Sequence, residues 1–208
     1  MYKTDSEFQT PNIGLEKVLY IIAGCNGAGK TTASYTILPE ILDCKEFINA
    51  DEIAKGISPF NSSAVSVVAG KIMLKRIDEL FQKNISFSIE TTLASKVFIK
   101  TIKKAKEMGY LTVLIFFWLS DVEIAKKRVE QRVKSGGHNI EINVIERRYK
   151  SGILNLFNLY LPIVDTCCIY DNTTLLDPIA EKYIDFDKIN IIDSKKYERL
   201  REYYESNK

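Results

Sequence analysis

Histidine is almost missing from this chain: among 208 residues the only one is His138. Ser-His-Asp and Cys-His hydrolases need an imidazole base, so such chemistry would have to rest on that one residue. Cysteine is scarce as well. Cys25, Cys44, Cys167 and Cys168 form no C-x-x-C pair, which with one histidine leaves too few soft ligands for a zinc site. Buried free thiols are the expected reading, and the adjacent Cys167 and Cys168 would point to opposite faces of a strand. An excess of one charge is lacking too: a net +2 is too mild to announce nucleic acid or a membrane surface. No apolar stretch approaches the roughly 18 residues of a spanning helix. The N-terminal "MYKTDSEFQTPNIGLEK" is polar rather than signal-like, so a cytoplasmic protein is expected. No repeat or low-complexity segment interrupts the chain.

What is present is an ordinary globular composition, 46% hydrophobic and 27% charged, which suits one domain over 1–208. Residues 1–14 and 195–208 are expected at its periphery, the charged tail "SKKYERLREYYESNK" either as a terminal surface helix or frayed. Short apolar runs alternate with segments of helical period, the pattern of β-α units on a parallel sheet. The expected strands are Lys17 to Ala23, Glu46 to Ala50, Ile85 to Glu90, Leu111 to Leu119 and Cys167 to Tyr170, with a weaker one at Ile189 to Ile192. Their unbroken apolar character fits strands covered on both faces. Val65, Val68, Ile72, Ile77, Leu80 and Phe81 recur at helical spacing, as do Phe98, Ile102, Ala105 and Met108 before Gly109, a C-cap candidate. Ser120-Asp121-Val122-Glu123 reads as a capping box opening a helix to about Lys134, and a further helix runs from about Glu141 to Leu161, before Pro162.

"GCNGAGKT", Gly24 to Thr31, satisfies G-x-x-x-x-G-K-[ST], between the apolar strand "KVLYIIA" and the helical "TTASYTIL". Gly24, Gly27 and Gly29 let backbone N–H groups approach phosphates, and the following helix adds its partly positive end. Lys30 is expected to reach the β and γ phosphates of ATP and Thr31 to ligate Mg²⁺. Asn26, Ala28 and Thr32 complete the nucleotide contacts. The same cradle serves many reactions. A GTPase needs N-K-x-D and a transporter ATPase L-S-G-G-Q, and neither occurs. What remains is a P-loop NTPase fold of the nucleoside monophosphate kinase kind, a parallel sheet flanked by helices with a small helical lid.

The lid is expected at about 128–150, the most basic part of the chain. Arg128 and Arg132, four apart on one helix, and Arg147 and Arg148, beyond the Gly136-Gly137 break, would converge on a triphosphate. Arg128 is expected at the nucleotide. The third strand delivers "SIETTL": Glu90 at the place of the acidic residue that supports Mg²⁺ in P-loop proteins, with the hydroxyls of Thr91 and Thr92 beside it. Those threonines could instead cap a helix. "FINADEIAKG" puts Asp51 where the second strand surfaces, either as a helix cap or as the base that takes a proton from an acceptor hydroxyl.

These segments together resemble the zeta-toxin-like P-loop kinases. The matching runs are "AGCNGAGKTT", "INADEIAKGISPF", "FSIETTL", "KRVEQRVKSGGHNI", "ERRYKSGI" and "LYLPIVDTCCIYDN", from Ile21 to Asn172. The resemblance implies transfer of the ATP γ-phosphate to the 3'-hydroxyl of the amino sugar in UDP-N-acetylglucosamine, and partnership with a small antitoxin protein. It makes Asp51 the base, Lys30 and Thr31 the ATP and Mg²⁺ contacts, Glu90 and Thr92 residues of the substrate pocket, and Arg132 and Arg148 the lid arginines. Asp171 and Asn172 fall where related kinases hold adenine. Cys25 replaces a proline common in the loop, which alters its stiffness. The competing readings are a non-catalytic ATP-binding module acting through a protein partner, and a kinase of another metabolite or of a nucleic-acid end; the modest charge counts against the last.

Overall fold

Two apolar runs form the centre of the sheet: β1 (Val18–Gly24) is buried at every position and β4 (Leu111–Trp118) at all but the first. Each fully buried Leu or Ile there contributes about 1.5–3 kcal/mol relative to exposure, so these strands anchor the core. The computed structural model describes residues 17–137, 139–184 and 188–208; His138 and the expected N-terminal periphery, 1–14, lie outside the described residues. Around the centre lie β2 (Phe47–Ile48), β3 (Phe87–Thr91), β5 (Thr166–Asp171), β6 (Asp177–Lys182) and β7 (Asn190–Ile191), in the order β2-β3-β1-β4-β5-β6-β7. The first five are mutually parallel, β6 runs antiparallel to β5, and β7 runs antiparallel to β6. The helices are α1 (Lys30–Thr36), α2 (Ala50–Ile57), α3 (Ser66–Lys83), α4 (Val97–Glu107), α5 (Val122–Lys134), α6 (Ile142–Asn155) and α7 (Ser194–Asn207). The architecture is thus mixed α/β, a central sheet flanked by helices. No helix among the described residues is long and apolar enough to cross a membrane.

Chain order reverses at β1, which lies between β3 and β4. In open α/β sheets a ligand crevice forms at such a switch, beyond the carboxyl ends of the strands. Gly24, Ile48, Thr91, Trp118 and Asp171 all stand at those ends, and the register sets Ile22 beside Glu90 and Gly24 beside Phe117.

Four expectations differ from the structure. β2 is cut to two residues because Asn49 leaves the strand to cap α2. β6 carries Pro178 and only a brief apolar core, Ile179 and Ala180, so it has no strand period of its own; pairing with β5, across an irregularity at Ile169/Tyr170, makes it a strand. The cap of α5 is Asp121, whose Oδ1 accepts from the Glu123 N–H, while the Ser120 N–H donates to the Thr173 hydroxyl instead. The tail takes the helical one of its two expected forms, α7, but packs on the domain rather than lying only at its surface: Leu200 and Tyr204 are buried, Tyr203 meets the Tyr149 ring edge-on at 5.1 Å, and the Tyr204 hydroxyl donates to Asn158 Oδ1. The four cysteines are free; burial pushes the Cys25 thiol up to about 11 and Cys168 to about 12, so both stay protonated.

Candidate active site

The loop between β1 and α1 is built around glycine. Gly29, the N-cap of α1, has φ +83°, and a Cβ there would strike the Asn172 side-chain nitrogen. Gly27 has φ +78°, and its Cβ would lie 2.8 Å from the Ala125 carbonyl oxygen. Left-handed backbone and close approach therefore both demand glycine. No side chain caps α1 and its first turn holds no acid, so its N–H groups and dipole remain available to an anion. Asn172 Nδ2 donates to the Ala28 carbonyl at 2.8 Å, bracing the loop from the end of β5.

Lys30 is 6% exposed, and its Nζ donates to the Cys25 carbonyl at 3.0 Å and lies 3.6 Å from Glu90 Oε1. Glu90 Oε2 accepts from the Thr31 hydroxyl at 2.7 Å and from Asn49 Nδ2 at 2.8 Å. An ammonium, a hydroxyl and an amide thus satisfy one nearly buried carboxylate, which unpaired would be costly. Thr31 and Glu90 together offer hard oxygen donors, the set that suits Mg²⁺ held mainly by substrate phosphates and water. No cluster of three or more His, Cys, Asp or Glu side chains suited to a metal occurs among the described residues.

Asp51 lies in the first turn of α2. It is not the cap: Asn49 Oδ1 accepts from the N–H groups of Asp51 at 2.8 Å and Glu52 at 3.3 Å. Relieved of that duty, the Asp51 side chain is exposed, and its carboxylate has no bonding partner among the described residues. Asn49 was missed in the sequence, although Asn directly before an Asp-Glu pair is the ordinary N-cap pattern.

Two arginines reach the loop from the helical hairpin. Arg148 Nη1 donates to Asn26 Oδ1 at 3.1 Å, and Arg128 donates to the Gly27 carbonyl at 3.4 Å and the Thr173 carbonyl at 2.8 Å. Arg132 is exposed on the last turn of α5, which Gly136 (φ +84°) closes with Gly137 donating to the Arg132 carbonyl. The Thr91 hydroxyl is buried and accepts from the Leu93 N–H, and Thr92 Oγ1 accepts from the Ala94 N–H at 3.5 Å. Neither caps α4, whose Val97 N–H donates to Ser95 Oγ. Thr32 is exposed on α1. Asp171, rather than facing open space, accepts from the Thr173 N–H and pairs with Lys196 at 3.2 Å.

A family model described as Zeta toxin matches residues 2–158. The chain belongs to the Zeta toxin family. Membership puts it among the P-loop kinases, and the glycine loop running from β1 into α1 is in keeping with that fold. A relative in Haemophilus influenzae, itself described as an uncharacterized protein, is 32% identical over 126 residues, 61% of this chain and 88% of that one. Among solved structures, a chain of the PezAT chromosomal toxin-antitoxin system of Streptococcus pneumoniae has the same fold, with a TM-score of 0.60 at 16% identity over 92% of this chain and 87% of that one. A chain of the native AvrRxo1-ORF1:-ORF2 complex superposes with a TM-score of 0.72 at 15% identity, covering 90% of this chain. This zeta toxin homologue spans 64% of that chain's length.

Proposed function

We propose that this zeta toxin homologue is an ATP-dependent phosphotransferase that moves the γ-phosphate to a hydroxyl of a small molecule. The observation that carries the reading is Asp51: an exposed carboxylate without a partner among the described residues, in the turn that Asn49 ties to Thr31 and Glu90. A protein that only held ATP would have no use for it. Asp51 accepts the proton of the acceptor hydroxyl as that oxygen bonds to the γ-phosphorus. The bond from that phosphorus to the bridging oxygen breaks, and ADP leaves with the electron pair. Lys30 turns from the Cys25 carbonyl to the β and γ phosphates, and Arg148 and Arg128, with Arg132 at the hairpin tip, offset charge on the phosphoryl oxygens. Thr31 and Glu90 would hold Mg²⁺, which when bound would supply positive charge to offset that of the phosphates.

The acceptor supported by the family resemblance is the amino sugar of UDP-N-acetylglucosamine, with Glu90, Thr91 and Thr92 lining its side of the crevice. An antitoxin protein is the corresponding partner, and the cytoplasm the corresponding compartment. Incubation with ATP, Mg²⁺ and a panel of UDP-sugars, followed by mass spectrometry, is expected to yield a singly phosphorylated UDP-N-acetylglucosamine. Transfer to another metabolite alone would replace the acceptor, and no transfer to any hydroxyl, with intact ATP binding, would leave the protein a binding module.

A further inference from the structure

One side chain joins the nucleotide end of the crevice to the acceptor end. Asn49 is 6% exposed and has extended backbone, φ −131° and ψ 120°. Its Nδ2 donates to Glu90 Oε2 at 2.8 Å and lies 3.5 Å from Thr31 Oγ1, while its Oδ1 accepts from the Asp51 and Glu52 N–H groups. The two ends of the amide are not interchangeable: the carboxylate requires the N–H end and the helix requires the oxygen. Few residue types satisfy both. Asp caps a helix but carries no donor for Glu90, Ser and Thr cap through one atom too close to the backbone to span both partners, and Gln is not among the favoured caps.

We propose that Asn49 is a positioning residue that holds Glu90 and the first turn of α2 in one rigid frame, so that the metal-phosphate end and the Asp51 end of the crevice stay in register. It rests on the reading that Thr31 and Glu90 receive the Mg²⁺ of Mg²⁺-ATP. Through the donor to Oε2, Asn49 leaves Oε1 as the oxygen of Glu90 facing Lys30, 3.6 Å away. Through the cap, it aims the Asp51 backbone. Groups that orient a metal-holding carboxylate typically matter by about tenfold to a hundredfold in metal affinity or activity.

Asn49→Ser separates the two bonds, since serine retains the cap and loses the donor to Glu90. ATP affinity is measured by calorimetry with and without Mg²⁺ in the full chain, beside melting temperature and phosphotransfer kinetics. The expected result is a melting temperature several degrees lower in a protein that still folds, an enhancement of ATP binding by Mg²⁺ reduced about tenfold or more, and a fall in kcat larger than any change in the acceptor KM. Asn49→Ala, which loses both bonds, melts lower as well. In a Glu90→Gln background, Asn49→Ser is expected to cause little further loss of the Mg²⁺ enhancement, because the two residues act as one unit. Should Asn49→Ser fail to fold, Asn49→Thr supplies the same readout. A wild-type Mg²⁺ enhancement and kcat in the folded Ser or Thr variant would overturn the inference, as would full additivity with Glu90→Gln. A wild-type protein that transfers phosphate to nothing, but loses its Mg²⁺ enhancement on Asn49→Ser, would instead overturn the kinase reading and leave Asn49 in its role.

Discussion

Replacing Asp51 with asparagine tests the chemistry with little cost to the fold. The substitution retains shape and leaves the backbone N–H that donates to Asn49 in place. What is lost is one negative charge in the first turn of α2, worth about 0.3–1 kcal/mol at an exposed helix N-terminus. For a chain of this size a destabilisation of that order lowers the melting temperature by no more than about 4 °C. ATP affinity is expected to be unchanged, because Lys30, Thr31, Arg128 and Arg148 are untouched. The rate is a different matter. A positioned base contributes about 10²–10⁴-fold, equivalent to about 2.7–5.4 kcal/mol at 1.36 kcal/mol per decade. The assay is a pair of measurements on the same preparation: calorimetric ATP affinity with Mg²⁺, and kcat with saturating acceptor. Asp51→Asn at wild-type affinity with kcat within about threefold of wild type would refute the assignment of the base, given the far larger loss that its removal entails. A fall in ATP affinity matching the fall in rate would refute the claim that Asp51 acts only on the acceptor.

Gly29→Ala forces a residue with a Cβ to φ +83° and drives that carbon into Asn172. Strain of about 1–2 kcal/mol plus loss of the Asn172 bond to Ala28, about 1 kcal/mol, predicts a melting temperature lower by about 4–12 °C; adding Asn172→Ala should cost less than the sum, read by a double-mutant cycle. Leu200→Ala empties a fully buried site on α7 and is expected to cost about 2–5 kcal/mol, read from urea unfolding. Burial alone would raise the Asp165 carboxyl, but bonds from the Lys106 ammonium at 2.6 Å and from the Thr112 hydroxyl and N–H outweigh it and hold the carboxyl below the usual range. Its stabilisation is therefore fully present above about pH 4 and lost as pH falls through the lowered folded value, so urea midpoints of Asp165→Asn should depend less on acid than those of wild type.

The part of the molecule that is continuous in sequence was readable there, because local rules suffice for it. Strand, glycine turn and helix follow one another from Val18 to Thr36, and the backbone geometry each needs is dictated by its own residues. The buried parallel strands likewise announce themselves by unbroken apolar runs, and Gly109 ends α4 with φ +76° where a left-handed residue is needed. Elements that owe their form to a neighbour were not readable. β6 is a strand only because β5 offers it a ladder, and α7, open in the sequence between a surface helix and a frayed end, is held by the burial of Leu200 and by Tyr204, which meets Phe157 and Asn158 more than forty positions away.

The site divides in the same way. The sequence by itself determined which groups the crevice has: Lys30, Thr31, Asp51, Glu90 and a basic hairpin, each at the end of a strand or next to a glycine break. Only the tertiary structure decided how they are shared out. It gave the helix cap to Asn49 and left the Asp51 carboxylate without a partner among the described residues, joined Glu90 to Thr31 across 59 positions, and brought Arg148 to Asn26 across 122. The physical reason is that a hydrogen bond depends on where two groups lie in space. Local propensity names candidates for each bond, but the competition among them is settled by the packing of distant strands and helices.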